Sequence, residues 1–486
     1  MTARAALAAV LLALAAPTAA RADDATRTIT LADALAEARA HNPSYRAAIA
    51  ARAVAAAQAR GAAGVDDRLL EAGVDGLTRA ADPVTGPFFQ ETGVDAIGGH
   101  VALWQPLPWG GRVGVEVAEQ VARTSVRVAA GGPVSDITTT VHQPRAELVW
   151  QQPLLRDRGR RSHAAAPARA SADADAAEAS RAAAEVALAY DVERAYWELA
   201  YAEREVQIRD SALALARDQE RVIAARAEVG KVAELEVATA AQAIAAREAA
   251  RLAAEQDRAA RAIALRVLLG DVDAGGPRLV AADALAAEVA APSTTDALAR
   301  ALAFAPRLRA LDHQGRAAAI DLATATADTR PRLDLILRGG PMGNADSAGA
   351  AWAQLGRFDG YQASAALSFS LPVGNRAATG RRDAARAARQ QVDLEAAALR
   401  AALTAEVTRA VDAVALSEQR IAAAALAARL AARTVELERD RWQAGAGTNF
   451  DVLLRQDQAV AAEAGLARAR ADRRLALAAL AALTGP

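Results

Sequence analysis

The sequence predicts a chain of mixed α and β structure that consists of two internal repeats. The stretch Ala227–Ala243 recurs 215 residues later as Trp442–Gln458, and the register then continues without a gap to the last residues. Each copy has the same order of signals, which is a helix, a strand region, a very long helix, a glycine turn and a second helix. A duplicated unit of this length indicates a quasi-symmetric protein.

Composition limits the class of protein. The 486-residue chain carries 57 Lys and Arg against 58 Asp and Glu, so no nucleic acid or other polyanion is expected as a partner. It has no cysteine, which excludes disulfides and thiolate metal sites. Aromatic residues make up only 3% of the chain, and this favours long thin helices packed through small residues over a large globular core.

Residues 1–22 have the pattern of a secretory signal peptide. Arg4 precedes the apolar run "AALAAVLLALAAPTAA", and Ala20, Arg21 and Ala22 form an A-x-A cleavage site. No later stretch approaches about 18 uninterrupted apolar residues, the length that marks a membrane-spanning helix. The mature protein is therefore expected to be exported and to contain no transmembrane helix.

Each repeat is expected to contribute two strands. The first repeat covers residues 23–270 and the second covers 295–486, with a linker at 271–294 that is expected to pack outside the helices. The strand region of the second repeat, 330–372, contains two segments of about ten residues with period-two alternation, separated by a Gly-rich loop. The strand region of the first repeat, 68–155, is longer than two strands need, which leaves open an additional extracellular hairpin. The expected total is about four strands per protomer.

Very long helices follow both strand regions. Ala168–Val229 and Ala377–Ala444 contain almost no Gly or Pro, and at about 1.5 Å per residue they span on the order of 90 to 100 Å. Pro167 is expected to interrupt the start of the first. Each long helix ends at a turn that contains Gly230 or Gly445 and leads into a helix of about 35 residues.

An exported chain without a membrane-spanning helix can still cross a membrane as a closed β-barrel. Alternating strands of about ten residues suit that role, but four strands cannot close a barrel, because eight is the usual minimum. The chain is therefore expected to oligomerise if the strands span a membrane. A trimer would supply twelve strands, and the long helices would extend the same tube into the periplasm.

The order of motifs resembles that of the TolC-like outer-membrane channel family. The matching segments are "TLADALAEARAHNP", the strand exits "QPLL" and "SFSLPVG", and the paired turn motifs "VGKVAELEV" and "AGAGTNFDVL". The resemblance implies a trimeric twelve-stranded outer-membrane barrel continuous with a twelve-helix periplasmic tunnel. It also implies a membrane-fusion adaptor as partner, linking the tunnel to an inner-membrane pump of the RND or ABC type, and outer-membrane lipid around the barrel.

The function expected from this resemblance is that of an outer-membrane exit duct in a tripartite efflux pump or type I secretion system, conducting substrate passively. The alternative is an exported soluble coiled-coil scaffold, which would have no need for long alternating strands. No enzyme activity, cofactor or metal is expected. The five histidines are scattered, and no phosphate loop or nucleophile motif is present.

Two acidic residues are candidates for the periplasmic aperture of the tunnel. Asp451 matches an acidic position near the tunnel end in the family, and a ring of three such carboxylates would repel one another and bind cations. Glu236 is its equivalent in the first repeat. The alternative for both is a first-turn acid that complements the helix dipole, and Thr448 with Asp451 has the spacing of a capping box.

The two glycine turns are the candidate adaptor-docking tips, although a glycine turn between antiparallel helices needs no partner to explain it. The docking candidates are Val229, Gly230, Lys231, Ala444, Gly445 and Ala446. Trp442, one turn earlier, is expected to be a wedge between helices or a gate contact. The candidates for an aromatic belt at the membrane interface, which ordinary strand packing would also explain, are Trp104, Trp109, Trp150, Trp352 and Tyr361.

Overall fold

The computed structural model describes residues 26–80, 89–128, 135–230, 232–271, 276–285 and 292–485. The expected signal peptide, Lys231 and parts of the 271–294 linker lie outside these ranges. In chain order, the elements are β1 (Thr26–Ile29), α1 (Leu31–His41), α2 (Pro43–Ala62), β2 (Leu69–Ala80), β3 (Phe89–Pro106), β4 (Arg112–Val128), β5 (Ser135–Pro153), α3 (Arg160–His163), α4 (Ala165–Glu228), α5 (Glu234–Leu269), β6 (Arg278–Ala281), α6 (Thr294–Phe304), α7 (Pro306–Ala327), β7 (Arg332–Met342), α8 (Ala348–Arg357), β8 (Gly360–Ser370), α9 (Arg376–Gln443) and α10 (Asn449–Thr484).

The chain divides into two compact units. Unit one contains the chain up to Ala48 together with Ala182–Ala305 and Ala401–Pro486. Unit two contains Ile49–Arg181 and Pro306–Arg400. Unit one holds both helical hairpin turns, and unit two holds the large sheet.

The large sheet has six strands in the order β2-β3-β4-β5-β7-β8, and every neighbouring pair is antiparallel. The expectation of about four strands is therefore wrong, because the first strand region forms four strands instead of two. Strands β3 and β4 are joined by a tight turn, in which the Leu107 N–H donates to the Gly111 carbonyl at 2.8 Å. Gly110 adopts a φ of +89° in this turn, and a Cβ there would lie 2.3 Å from the Asp157 carbonyl oxygen.

The segment between β7 and β8, expected to be a Gly-rich loop, contains the helix α8. Ser347 precedes the helix. Ala351 is fully buried, and α8 packs against β5 and β7. The helix ends at Phe358, which adopts a left-handed conformation with φ +58°. The alanines of α8 favour the helical conformation, although Gly349 and Gly356 lie within the helix.

The long helices extend as the sequence indicates. Helix α4 has 64 residues and helix α9 has 68, which at about 1.5 Å per residue is on the order of 100 Å each. Pro167 does not interrupt α4, because it lies within the first turn, where the missing N–H has no intrahelical partner to lose. The two glycines that follow the shorter helices, Gly270 and Gly485, both adopt positive φ, as helix ends commonly require.

One buried cluster of unit one lies where β1 and β6 pair in parallel beside α4 and α5. Tyr196 is fully buried there, and its hydroxyl donates to the Asp283 carboxylate at 2.6 Å. This bond is the largest cause of the lowered pKa of Asp283, while burial raises the pKa of Tyr196. The described part of the linker is thus tied to the helices through β6 and Asp283.

Candidate functional site: the two-faced sheet and the hairpin tips

One face of the large sheet is apolar and exposed. Side chains alternate between the two faces of a strand, so the register assigns each residue to one face. The exposed apolar residues that share this face are Leu70, Val74, Ile97, Val101, Leu103, Val115, Val117, Leu148, Trp150, Tyr361, Leu367 and Phe369. These residues come from five of the six strands, and the half-buried Leu335 and Leu337 of β7 share the same face. An exposed apolar surface of this extent is typical of a face that contacts lipid or another protein.

The opposite face carries a network of charged and polar groups across four adjacent strands. Arg338 lies 3.5 Å from Glu116 and 3.8 Å from Glu147, and Arg145 lies 3.7 Å from Glu116. Gln362 donates to Glu147 at 3.0 Å. Glu147 is only 3% exposed, and these partners offset the cost of burying its carboxylate. This face has the polarity of a water-filled lumen.

The predicted belt aromatics lie on both faces of the sheet. Trp150 and Tyr361 lie on the apolar face, and Trp352 in α8 donates to Glu119 of the same face at 2.9 Å. Trp109 is 46% exposed in the turn between β3 and β4. Trp104 lies on the polar face, buried to 6% exposure, and its indole donates to Glu71 at 3.2 Å. Trp104 therefore differs from the other four.

The two hairpin turns at the tips have the same local geometry. Gly230 adopts φ +69° and Gly445 adopts φ +77°, a conformation that favours glycine. A Cβ at either position would meet nothing within 4 Å, so both turns face open space. Val229 is 65% exposed, and Ala444 and Ala446 are also exposed.

Both hairpins meet in one apolar cluster just below the tips. Ile223 of α4, Ala240 of α5, Trp442 of α9 and Val452 of α10 are all buried in it. The Arg226 guanidinium stacks on the Trp442 ring at 4.1 Å from the ring centre. This packing corresponds to the wedge interpretation of Trp442.

Asp451 takes part in a complete capping box. The Thr448 hydroxyl donates to the Asp451 carboxylate at 2.7 Å, and the Asp451 N–H donates to the Thr448 hydroxyl oxygen at 3.2 Å. The hydroxyl bond and then the Thr448 N–H lower the pKa of Asp451, with smaller contributions from Arg441 and Arg455. The carboxylate therefore stays charged to a lower pH than a free aspartate, whether or not it also faces an aperture.

Glu236 differs from its repeat equivalent. The position that corresponds to Thr448 is Ala233, which has no side chain to cap α5. Glu236 is half-buried, and its Oε2 has no hydrogen-bond partner. Its carboxylate is therefore not committed to a helix cap, unlike that of Asp451.

A pair of exposed apolar residues lies at the tips and is not among the residues predicted from the sequence. Leu235 is 76% exposed and Phe450 is 63% exposed, and each directly precedes one of the two acids. They are 215 residues apart and therefore equivalent in the two repeats. The sequence does contain a signal for them. Each is a large apolar residue in the first turn of the helix that follows one of the two glycine turns.

Within the described ranges, no helix is long and apolar enough to cross a membrane. In the same residues, no group of three or more His, Asp or Glu side chains is arranged to hold a metal ion.

The fold matches solved outer-membrane channels at low sequence identity. VceC from Vibrio cholerae has a TM-score of 0.66 and 18% identity, with 94% of this chain and 96% of that chain covered. CmeC from Campylobacter jejuni has a TM-score of 0.68 and 14% identity, with 94% and 85% covered. The open state of MtrE from Neisseria gonorrhoeae has a TM-score of 0.64 and 18% identity, with 94% and 88% covered.

The sequence itself matches one family description. Residues 297–486 match the model of the outer membrane efflux protein family. No curated protein matches the chain at a significant level of sequence similarity. The described chain thus has the fold of solved outer-membrane channels, and residues 297–486 are similar to the outer membrane efflux protein family. The TolC-like resemblance is confirmed.

Proposed function

We propose that this protein is the outer-membrane exit duct of a tripartite efflux pump or a type I secretion system. The observation that supports this function most strongly is the two-faced sheet of six strands in a chain with the fold of an outer-membrane channel. The apolar face contacts the lipid of the outer membrane, and the charged face lines a water-filled path. The soluble scaffold alternative is not supported by any of the matches.

The assembled protein is proposed to be a homotrimer, as the family resemblance implies. A single sheet of six strands is too small to close, since eight strands is the usual minimum. Copies of the sheet would join into a barrel, and the long helices would join into a periplasmic tunnel. Each repeat, residues 23–270 and 295–486, would supply one helical hairpin to that tunnel.

The periplasmic end of the tunnel is proposed to narrow at Asp451 and Glu236. In a trimer the two positions would place six carboxylates at the tunnel mouth, where they would attract cations and repel one another. The Asp451 carboxylate is held by its capping box, whereas the Glu236 carboxylate caps no helix and keeps one buried oxygen without a hydrogen-bond partner. Constriction would therefore involve both repeats.

The tips are proposed to bind a periplasmic membrane-fusion adaptor, which connects the duct to an inner-membrane pump of the RND or ABC type. The exposed Leu235 and Phe450 flank the same surface and offer the apolar anchors that interfaces commonly use. The proposed docking residues are Val229, Gly230, Lys231, Ala444, Gly445 and Ala446.

The membrane-interface aromatics are proposed to be Trp109, Trp150, Trp352 and Tyr361. Their rings are exposed, between 38% for Trp150 and 82% for Tyr361, as rings at a lipid interface would be. Trp104 is omitted because its ring is buried on the polar face.

Fractionation of cells that express the full chain tests the proposed function. We expect recovery in the outer-membrane fraction, extracted only by detergent. Recovery in the soluble periplasmic fraction would instead support the scaffold alternative.

A photo-crosslinking residue at Val229, compared with one at the helical Gly380 of unit two, tests docking at the tips. Docking predicts that an adaptor is captured at Val229 and not at Gly380.

A further inference from the structure

The large sheet ends in two long edge strands, β2 and β8. In the described part of the chain, each pairs with a neighbour on one side only. Backbone N–H and C=O groups inside a membrane must be bonded, so open sheet edges do not occur there. Neither strand contains proline or lysine, the residues with which natural edge strands prevent pairing. Both edges are therefore suited to pairing with another strand.

The two edges are displaced from each other along the strand direction. The paired residues can be followed from strand to strand across the sheet, and they connect Leu69 of β2 to Ser364 of β8. Strand β8 continues six residues beyond Ser364, to Ser370. At the opposite end, β2 continues seven residues beyond the level of Gly360. Each strand thus overhangs the other by a similar length, in opposite directions.

Closing a sheet into a barrel requires such a displacement. The strands of a barrel are tilted, so the first and last strands pair only if their hydrogen-bond register is staggered. A stagger of six residues across six strands gives a shear equal to the strand number. An eight-stranded barrel with a shear of 8 has the same ratio, and its strands tilt by about 36°. Transmembrane barrels have tilts of about 35–45°.

The alternation of faces selects a stagger of six over seven. With six, Ala72 is opposite Leu367 and Leu70 is opposite Phe369, so the apolar faces join. A stagger of seven would place Ala72 opposite Ser368, and a one-residue slip reverses every side chain in this way. A stagger of six also pairs all 11 residues of β8, which is more than a stagger of four or eight allows.

We infer that β8 of one copy pairs with β2 of the next copy in this register. Since each copy supplies an even number of strands, the new pair is antiparallel like the other pairs of the sheet. This inference rests on the proposed function, which supplies the trimer and the membrane. Three copies of six strands make a barrel of eighteen strands, in place of the twelve that the family resemblance implies.

The additional strands widen the barrel. With strands about 4.8 Å apart and tilted by about 36°, eighteen strands enclose a backbone diameter of about 34 Å, against about 23 Å for twelve. The lumen would be lined by the charged face, including Glu116, Arg145 and Arg338.

Disulfide trapping in this naturally cysteine-free chain tests the seam. The test variant is Ala72→Cys with Leu367→Cys. Within one copy these positions are five strand spacings apart, about 24 Å, which is far beyond the 7 Å limit for a disulfide. Any disulfide formed by copper-phenanthroline oxidation therefore joins two copies. The control is Ala72→Cys with Ala366→Cys, which places the thiols on opposite faces.

We expect the test variant, oxidised in outer-membrane vesicles, to form a ladder that ends at a covalent trimer on denaturing gels. The control should yield at least tenfold less. A ladder that ends at a dimer, or that extends beyond a trimer, would overturn the eighteen-stranded barrel. Equal yields for test and control would overturn the register. Single-cysteine variants recovered in the outer-membrane fraction show that the protein folds, and absence of crosslinks in the double variant would then reject the seam. Recovery in the soluble fraction would instead reject the proposed function.

Discussion

Glu203 makes the stability of unit one depend on pH. Its carboxylate is half-buried in α4 and accepts a hydrogen bond from the Ala281 N–H at 3.1 Å. Burial raises the pKa of Glu203 from its ordinary 4.5 to about 7, against the opposing effects of the Ala281 N–H and the Arg278 charge. Between these two pH values the folded protein keeps a proton that the unfolded chain releases. Stability therefore decreases as pH rises through this window.

The variant Glu203→Gln removes this dependence, because the amide is neutral at every pH and its oxygen can still accept from Ala281. The full shift, from 4.5 to about 7, corresponds to an energy on the order of 3 kcal/mol. Partial exposure screens the charge, so we expect a gain on the order of 1–2 kcal/mol at pH 8. At pH 4, where both states hold the proton, we expect no difference.

The measurement is the thermal unfolding midpoint of the detergent-purified protein, followed by far-ultraviolet circular dichroism. At pH 8 the midpoint of Glu203→Gln should exceed that of the unaltered protein by about 2–4 °C. The exposed Glu406→Gln is the matched control and should leave the midpoint within about 1 °C at both pH values. A gain of the same size at pH 4 and pH 8 would refute the reasoning, because the effect would then not arise from the Glu203 charge.

Three further predictions concern the tips and the polar face. Trp442→Ala should lower the stability of the tip cluster by about 3–5 kcal/mol, measured by urea unfolding, because it leaves a cavity and removes the cation stack. Unchanged stability would place the ring outside the core. Arg338→Met should cost on the order of 1–2 kcal/mol, because the partly exposed Arg338 pairs with both Glu116 and the buried Glu147, and adding Glu147→Gln should recover part of it. Failure of the second change to recover stability would contradict the ion-pair account. Asp451→Asn and Glu236→Gln should each reduce cation selectivity in planar bilayers, measured as the reversal potential in a salt gradient. If neither shifts it, the two carboxylates do not line the aperture.

The helical part of the fold could be predicted from sequence, because its signals are local. Alanine-rich runs, the Asn42-Pro43 break and the duplicated glycines specify helices and their ends without knowledge of any partner. The capping box at Asp451 was likewise visible in the spacing from Thr448. These features depend on residues within one turn of one another.

The strand count could not be predicted in the same way. In β3, Gly98 and Gly99 interrupt the alternation, and the apolar positions Ile97, Val101 and Leu103 are separated by small or polar residues. A strand with one polar face gives a weak signal, and its neighbours supply the missing evidence only after pairing. The placement of Trp104 on the polar face depends on the same register.

The different states of the two aperture candidates also required the structure. The sequence shows that Ala233 replaces Thr448 in the first repeat, which removes the cap. It does not show that Glu236 keeps a buried oxygen without a hydrogen bond, because that depends on the packing around α5. The exposure of Leu235 and Phe450 likewise depends on which helix face the tip cluster covers.

Single-channel recording of the purified full-length protein in planar lipid bilayers tests the central claim most directly. An outer-membrane exit duct predicts discrete conductance steps in salt solution, and the conductance should increase when Asp451 and Glu236 are both neutralised. A protein that is recovered intact and oligomeric, but that never produces conductance steps in either form, would contradict the claim that this chain forms a duct.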